Sequence, residues 1–157
     1  MSAEPPRDIA GVVAPPPLIV LAAIALGLLL HWLHPLALRP ASWRPLLGVL
    51  VALTGLVLIG LALATLRRAR TPVEPWKPTR AIVHAGPYRA SRNPIYLGFA
   101  LVHLGVALAV NSLWLLVTLA LAIVVLTWGV IRREERYLER RFGKEYTEYK
   151  ARVRRWI

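Results

Sequence analysis

Apolar residues in this chain run in long unbroken stretches, not at the spacing of a surface helix or an alternating strand. Residues 46–66 hold about 21 positions without a charge, enough at 1.5 Å per residue to cross a hydrocarbon core of roughly 30 Å. Residues 93–131 are uncharged over about 39 positions, close to two spans of roughly 20. A shorter run, 18–33, gains length at the interface from Trp32 and His34. Reading the long run as a hairpin that turns near Asn111 predicts an all-α polytopic membrane protein, one domain over 1–157. Its four transmembrane helices are expected at about 16–36, 46–66, 94–110 and 112–131, with a loop at 67–93 and an amphipathic helix at 132–157.

The first run is expected to be a retained span and not a cleaved signal. Arg7 is set against Glu4 and Asp8, where a secretory leader opens on a basic stretch, and Pro15, Pro16 and Pro17 suit a helix entry. Asn111 reads as a turn residue, and Gly55 and Gly60 as helix-packing positions. His103 falls mid-span, where an ionisable residue is either functional or hydrogen-bonded to a neighbouring helix.

Charge then sets the orientation. The net charge of +12 is segregated: Arg67, Arg68, Arg70, Lys77, Arg80, Arg89 and Arg92 lie between the second and third spans, against Glu74 alone. Residues 132–155 add about ten more basic side chains, whereas the opposite side carries Arg39 and Arg44. Four spans place both basic clusters and both termini in the cytosol, against anionic lipid; an odd number puts one cluster outside. This pattern predicts a multi-pass protein of the cell inner membrane and disfavours nucleic acid as the partner of the basic residues. The chain has no cysteine, which excludes disulfides, thiolate chemistry and cysteine-ligated metal. His31, His34, His84 and His103 do not cluster with carboxylates, so no metal site is expected.

Residues 71–94 differ from their surroundings. Pro72, Pro75, Pro78, Pro87 and Pro94 interrupt any helix, yet Trp76, Ile82, Val83 and Tyr88 seek burial, which predicts a shaped lid on the membrane surface. Arg89 and Arg92 precede the third span and suit either lipid anchoring or a carboxylate or phosphate at a helix entrance. Leu138, Phe142, Tyr146, Tyr149, Val153 and Trp156 recur at steps of three or four, a packing or membrane-contact stripe with a bend expected at Phe142–Gly143. Glu134 and Glu135 sit at the mouth of the last span, at the depth of Arg92. An Arg–Glu pair there either fixes the hairpin or opposes charges around a zwitterionic ligand.

The segment G-P-Y-R-A-S-R-N-P-I-Y-L-G at 86–98, followed by a hairpin, by Glu134-Glu135 and by F-G-K-E-Y-T-E-Y-K-A-R-V at 142–153, resembles the isoprenylcysteine carboxyl methyltransferase and phospholipid methyltransferase family. The likeness covers roughly 75–153, and its two blocks stand in the family's order. It implies methyl transfer at the cytosolic face from S-adenosylmethionine, leaving S-adenosylhomocysteine, to a small or lipidic acceptor. By position, Gly86, Pro87, Tyr88, Arg89, Arg92, Asn93, Pro94, Tyr96, Leu97 and Gly98 form one wall of the implied cofactor pocket. Glu134, Glu135, Tyr146 and Tyr149 form the other.

The resemblance gives the methionine carboxylate to arginine, the amino group or ribose to a glutamate, and a close cofactor approach to Gly98. Arg89 or Arg92 would steady an anionic acceptor, and Glu135 would take the proton of an amine. The family commonly has histidine where this chain has Asn93, and asparagine cannot take a proton near neutral pH. That departure points away from a prenylcysteine acceptor. Two rival readings are a non-catalytic membrane scaffold or lipid-binding subunit, and a nicotinamide-dependent membrane reductase, whose cofactor demands a larger pocket.

Overall fold

In a computed structural model, residues 9–38, 41–74 and 77–157 are described. Among them the fold is helical, in six segments: α1 Pro16–Leu33, α2 Arg44–Arg68, α3 Pro94–Val110, α4 Leu113–Leu126, α5 Arg132–Phe142 and α6 Lys144–Arg152. Proline occupies the first turn of α1, α2 and α3, where its missing N–H leaves no bond unmade. A π-helical turn, Thr127–Ile131, joins α4 to α5 without a break, so Leu113–Phe142 is one helix of 30 residues.

Three helices are long and apolar enough to cross a membrane: α1, α2 and the continuous Leu113–Phe142. The fourth apolar helix, α3, has 17 residues. The first two spans differ by two or three residues from their expected ends. The helix α3 runs over 94–110, and the helix that begins at Leu113 does not stop at Ile131 but continues to Phe142. The C-terminal helix expected over 132–157 is instead two helices that end at Arg152. Gly143, at φ +53°, breaks them at the expected bend, in a conformation that disfavours other residues.

Small residues set the packing. Gly48 and Gly55 of α2 face Gly105 and Gly98 of α3 so closely that a Cβ on Gly55 would stand 2.6 Å from the Gly98 carbonyl. Lipid supplies no hydrophobic drive between helices, so backbone approach of this kind carries the pairing. Gly55 thus fills its expected role, but Gly60 has no atom within 4 Å of its would-be Cβ and contributes no contact. On the other side α1 packs on α4, with Gly27 against Thr118 and Leu115.

Asn111 is the turn residue, left-handed at φ 58°, and its Oδ1 accepts a 2.7 Å hydrogen bond from Arg44. His103 is fully buried with Nε2 3.3 Å from Thr118 Oγ1, an interhelical bond between α3 and α4. At the opposite end Val20, Tyr96, Leu126, Val130 and Ile131 form a buried cluster, against which Trp156 of the tail packs. Large side chains such as Leu18, Leu21, Leu46 and Leu61 point outward, as bilayer-facing helices require.

Candidate functional site

Above that cluster, where α3 begins and α4 passes into α5, lies a cavity roofed by residues 71–74 and 79–83 and walled by α5, α6 and the start of α3. It measures about 150 Å³, space for on the order of ten waters. The roof is tied down by Thr79, whose backbone N–H donates to the Tyr137 hydroxyl at 3.1 Å, while Ile82 and Val83 turn toward the cavity. Pro75 and Trp76, both part of the expected lid, lie outside the described residues.

The tail after α6 folds back over the entrance of α3. Arg92 N–H donates to the Arg154 carbonyl at 3.0 Å, and Asn93 Nδ2 donates to the Arg155 carbonyl at 2.9 Å. Asn93 borders the cavity, but its amide N–H is committed to this clasp, which gives the residue at the family's histidine position a structural bond. Tyr149 donates to the Tyr88 carbonyl at 2.7 Å and meets the edge of His84, joining α6 to the short 3-10 turn Gly86–Arg89.

Two acids and two arginines meet at the centre. Arg155 grips Glu135 through both oxygens, Nε to Oε1 at 3.0 Å and Nη2 to Oε2 at 2.7 Å. Arg92 Nη1 stands 3.1 Å from the same Oε1, with both side chains only 8% exposed. That contact is an ion pair without hydrogen-bond alignment: Arg92 Nε and Nη1 are buried and have no acceptor. A buried guanidinium N–H without an aligned acceptor is costly; the Arg92 side chain lines the cavity, while these two nitrogens are themselves enclosed.

Glu134 lies one position earlier and accepts a 2.7 Å hydrogen bond from the Tyr96 hydroxyl. It sits beyond Ile131, where the apolar stretch ends. Desolvation lifts its carboxyl to about 7, against the pull of the Tyr96 bond and with the Glu135 charge adding to the rise. Burial likewise holds the phenols of Tyr88, Tyr146 and Tyr149 up, that of Tyr149 to about 12, so they are neutral walls and donors near neutral pH.

Of the expected site residues, Tyr88, Arg92, Asn93, Pro94, Tyr96, Glu134, Glu135, Tyr146 and Tyr149 come together around this cavity. Five do not border it. Arg89 is exposed and does not line the cavity. Gly86 abuts Thr65 of α2, and Pro87 and Leu97 face elsewhere. Gly98 is used for helix packing against Gly55 and Ile59, so a neighbouring helix, and no cofactor, takes its close approach. Arg155 and Tyr137 are central but were not foreseen. Arg155 is one of many arginines in its segment, and Tyr137 lies off the aromatic stripe. Only the fold-back of the tail singles out the first.

A family model described as phospholipid methyltransferase matches residues 43–145, about two thirds of the chain. The match spans α2, α3, α4, α5 and the roofing segment, and it includes Arg92, Glu134 and Glu135. An uncharacterized protein of Haemophilus influenzae is 47% identical over 51 residues, covering 29% of this chain and 81% of the relative.

Proposed function

The chain belongs to the phospholipid methyltransferase family, and on that premise we propose that it transfers a methyl group from S-adenosylmethionine to a lipidic or small acceptor at the cytosolic face of the cell inner membrane. The observation that carries this reading is the cavity itself, lined together by the buried Arg92 and by Glu134, a cation and a carboxyl around one space. A guanidinium in the cavity wall fits a carboxylate, and a carboxyl poised near neutrality fits a cationic amine, so the residues present suit a zwitterionic amino acid moiety. When bound, S-adenosylmethionine supplies an electrophilic methyl on a sulfonium. The remaining work is binding, orientation and exclusion of water.

In this reading Arg92 holds the methionine carboxylate, and Arg155 keeps Glu135 in place as the counter-charge that orients Arg92. Glu135, gripped through both oxygens, is then a positioning residue. Glu134 takes over the role of accepting from the amino group, or of drawing off the proton of an amine acceptor. The rings of Tyr88, Tyr146 and Tyr149 give faces that favour a positive sulfonium. The roof, pinned through Thr79 and Tyr137, excludes water, and the acceptor enters from the bilayer side. Four spans, with α3 as the third, bring both basic clusters to the cytosolic face.

The direct test is incubation of purified protein in lipid nanodiscs with methyl-labelled S-adenosylmethionine and a total lipid extract. Label entering a lipid fraction with the wild type and not with Arg92→Ala is the expected result. No label in any lipid or small-molecule fraction, from protein shown to be folded, contradicts the proposal.

A further inference from the structure

A second groove of about 300 Å³ lies on the other side of Glu135, between α5 and the segment from α6 to the tail. Its cations are Arg132, Arg136, Lys150 and Arg155, and its acids are Glu135 and Glu139. Arg155 is taken by Glu135, and Lys150 by Glu139 at 2.5 Å. Arg132 and Arg136 are left in excess: among the described residues neither has a carboxylate partner. They stand four positions apart on α5, so they share one face.

Arg132 stacks on the Trp128 ring, its Cζ 3.3 Å from the ring centre, an arrangement that fixes the guanidinium plane and leaves its N–H edge open. Trp128 itself is 58% exposed in the last turn of the apolar stretch, the depth at which tryptophan marks a membrane–water interface. Below it the same face continues with Val124, Leu121 and Val117, all exposed at steps of three or four.

The face therefore reads, from bilayer to water, as apolar side chains, an interfacial indole and then two unpaired guanidiniums. We propose that this stripe is a binding site for one anionic membrane lipid, its phosphate held by Arg132 and Arg136 and its acyl chain laid along Trp128, Val124 and Leu121. The occupant is a lipid because the groove is continuous with an apolar face that a soluble phosphate does not use. The site adjoins the Arg92 cavity across Glu135, which lines both, and its occupancy does not depend on the reaction performed there.

The experiment is tryptophan fluorescence quenching of the full chain in phosphatidylcholine bilayers doped with brominated phosphatidylglycerol or brominated phosphatidylcholine. The contribution of Trp128 is isolated by difference from Trp128→Phe. Phosphatidylglycerol is expected to be preferred at Trp128, with the preference falling about fivefold for each arginine lost in Arg132→Gln and in the double variant with Arg136→Gln. Removing the same charge elsewhere, in Arg67→Gln with Arg68→Gln, should leave it intact. Displacement by inorganic phosphate at matched ionic strength, with no preference between the two lipids, overturns the lipid assignment in favour of a soluble phosphate. Equal quenching by both lipids without such displacement, or equal loss in the Arg67/Arg68 variant, shows only general surface potential and also overturns it.

Discussion

Glu134 holds its proton to about pH 7 because it is desolvated beside the charge of Glu135, despite the bond from Tyr96. A raised carboxyl favours the folded state at low pH, where both folded and unfolded forms are protonated. That contribution is lost as pH rises from the ordinary carboxylate range, near 4.5, through about 7. A cationic ligand group reverses the preference, since it binds the ionised form. Affinity for S-adenosylmethionine is therefore expected to rise with pH up to about 7 and then level, with proton release on binding below that point. Calorimetry in buffers of different ionisation enthalpy reads the released proton, and Glu134→Gln should abolish both effects. The pairing of Arg92 with Glu135 was legible in the sequence because both flank the ends of adjoining helices. The division of labour between Glu134 and Glu135 was not, because it depends on Arg155, which reaches Glu135 only through the fold-back of the tail.

Among the helices, α2 and α3 carry the tightest approach, through Gly48, Gly55, Gly98 and Gly105. Leucine at Gly55 must push against the Gly98 carbonyl and the Val102 N–H, so Gly55→Leu should destabilise the protein by about 1–3 kcal/mol. Gly60→Ala meets nothing and should be neutral or stabilise by up to about 1 kcal/mol through helix propensity. Thermal or denaturant unfolding in detergent distinguishes the two. Sequence ranked these glycines together, since apolar runs show no face when lipid and protein are equally apolar. Helix existence was readable from run length. The π-turn at Thr127–Ile131 left no such mark. In the folded chain it accompanies a bond from Val13 N–H to the Gly129 carbonyl at 3.2 Å, a contact between residues far apart in sequence.

Among the described residues, the molecule gathers most of its basic side chains at the end of the bundle that holds the cavity, with the Asn111 turn and Arg44 at the other. The four-span reading places that end in the cytosol, and the absence of native cysteine makes it easy to test. Single cysteines at Arg89 and Lys144 should react with a membrane-impermeant maleimide in inverted vesicles and not in intact cells, and one at Asn111 should show the reverse. Labelling of Arg89 and Lys144 positions from opposite sides contradicts the reading. Charge segregation is the sequence's signal for this orientation, because it acts along the chain and needs no tertiary contact. The cavity needed the fold, since its walls come from α3, α5, α6 and the roof, whose relative placement no local pattern encodes.

The measurement that bears most directly on the proposed methyl-donor site is equilibrium binding of S-adenosylmethionine to folded protein in nanodiscs, comparing the wild type with Arg92→Ala and Arg89→Ala. Arg92 borders the cavity and Arg89 does not, although the two lie three positions apart. Saturable binding that weakens by about tenfold or more in Arg92→Ala, the loss of a charge-assisted hydrogen bond, and stays unchanged in Arg89→Ala is the predicted result. No saturable binding to folded wild-type protein, or equal weakening in both variants, contradicts the assignment of this cavity.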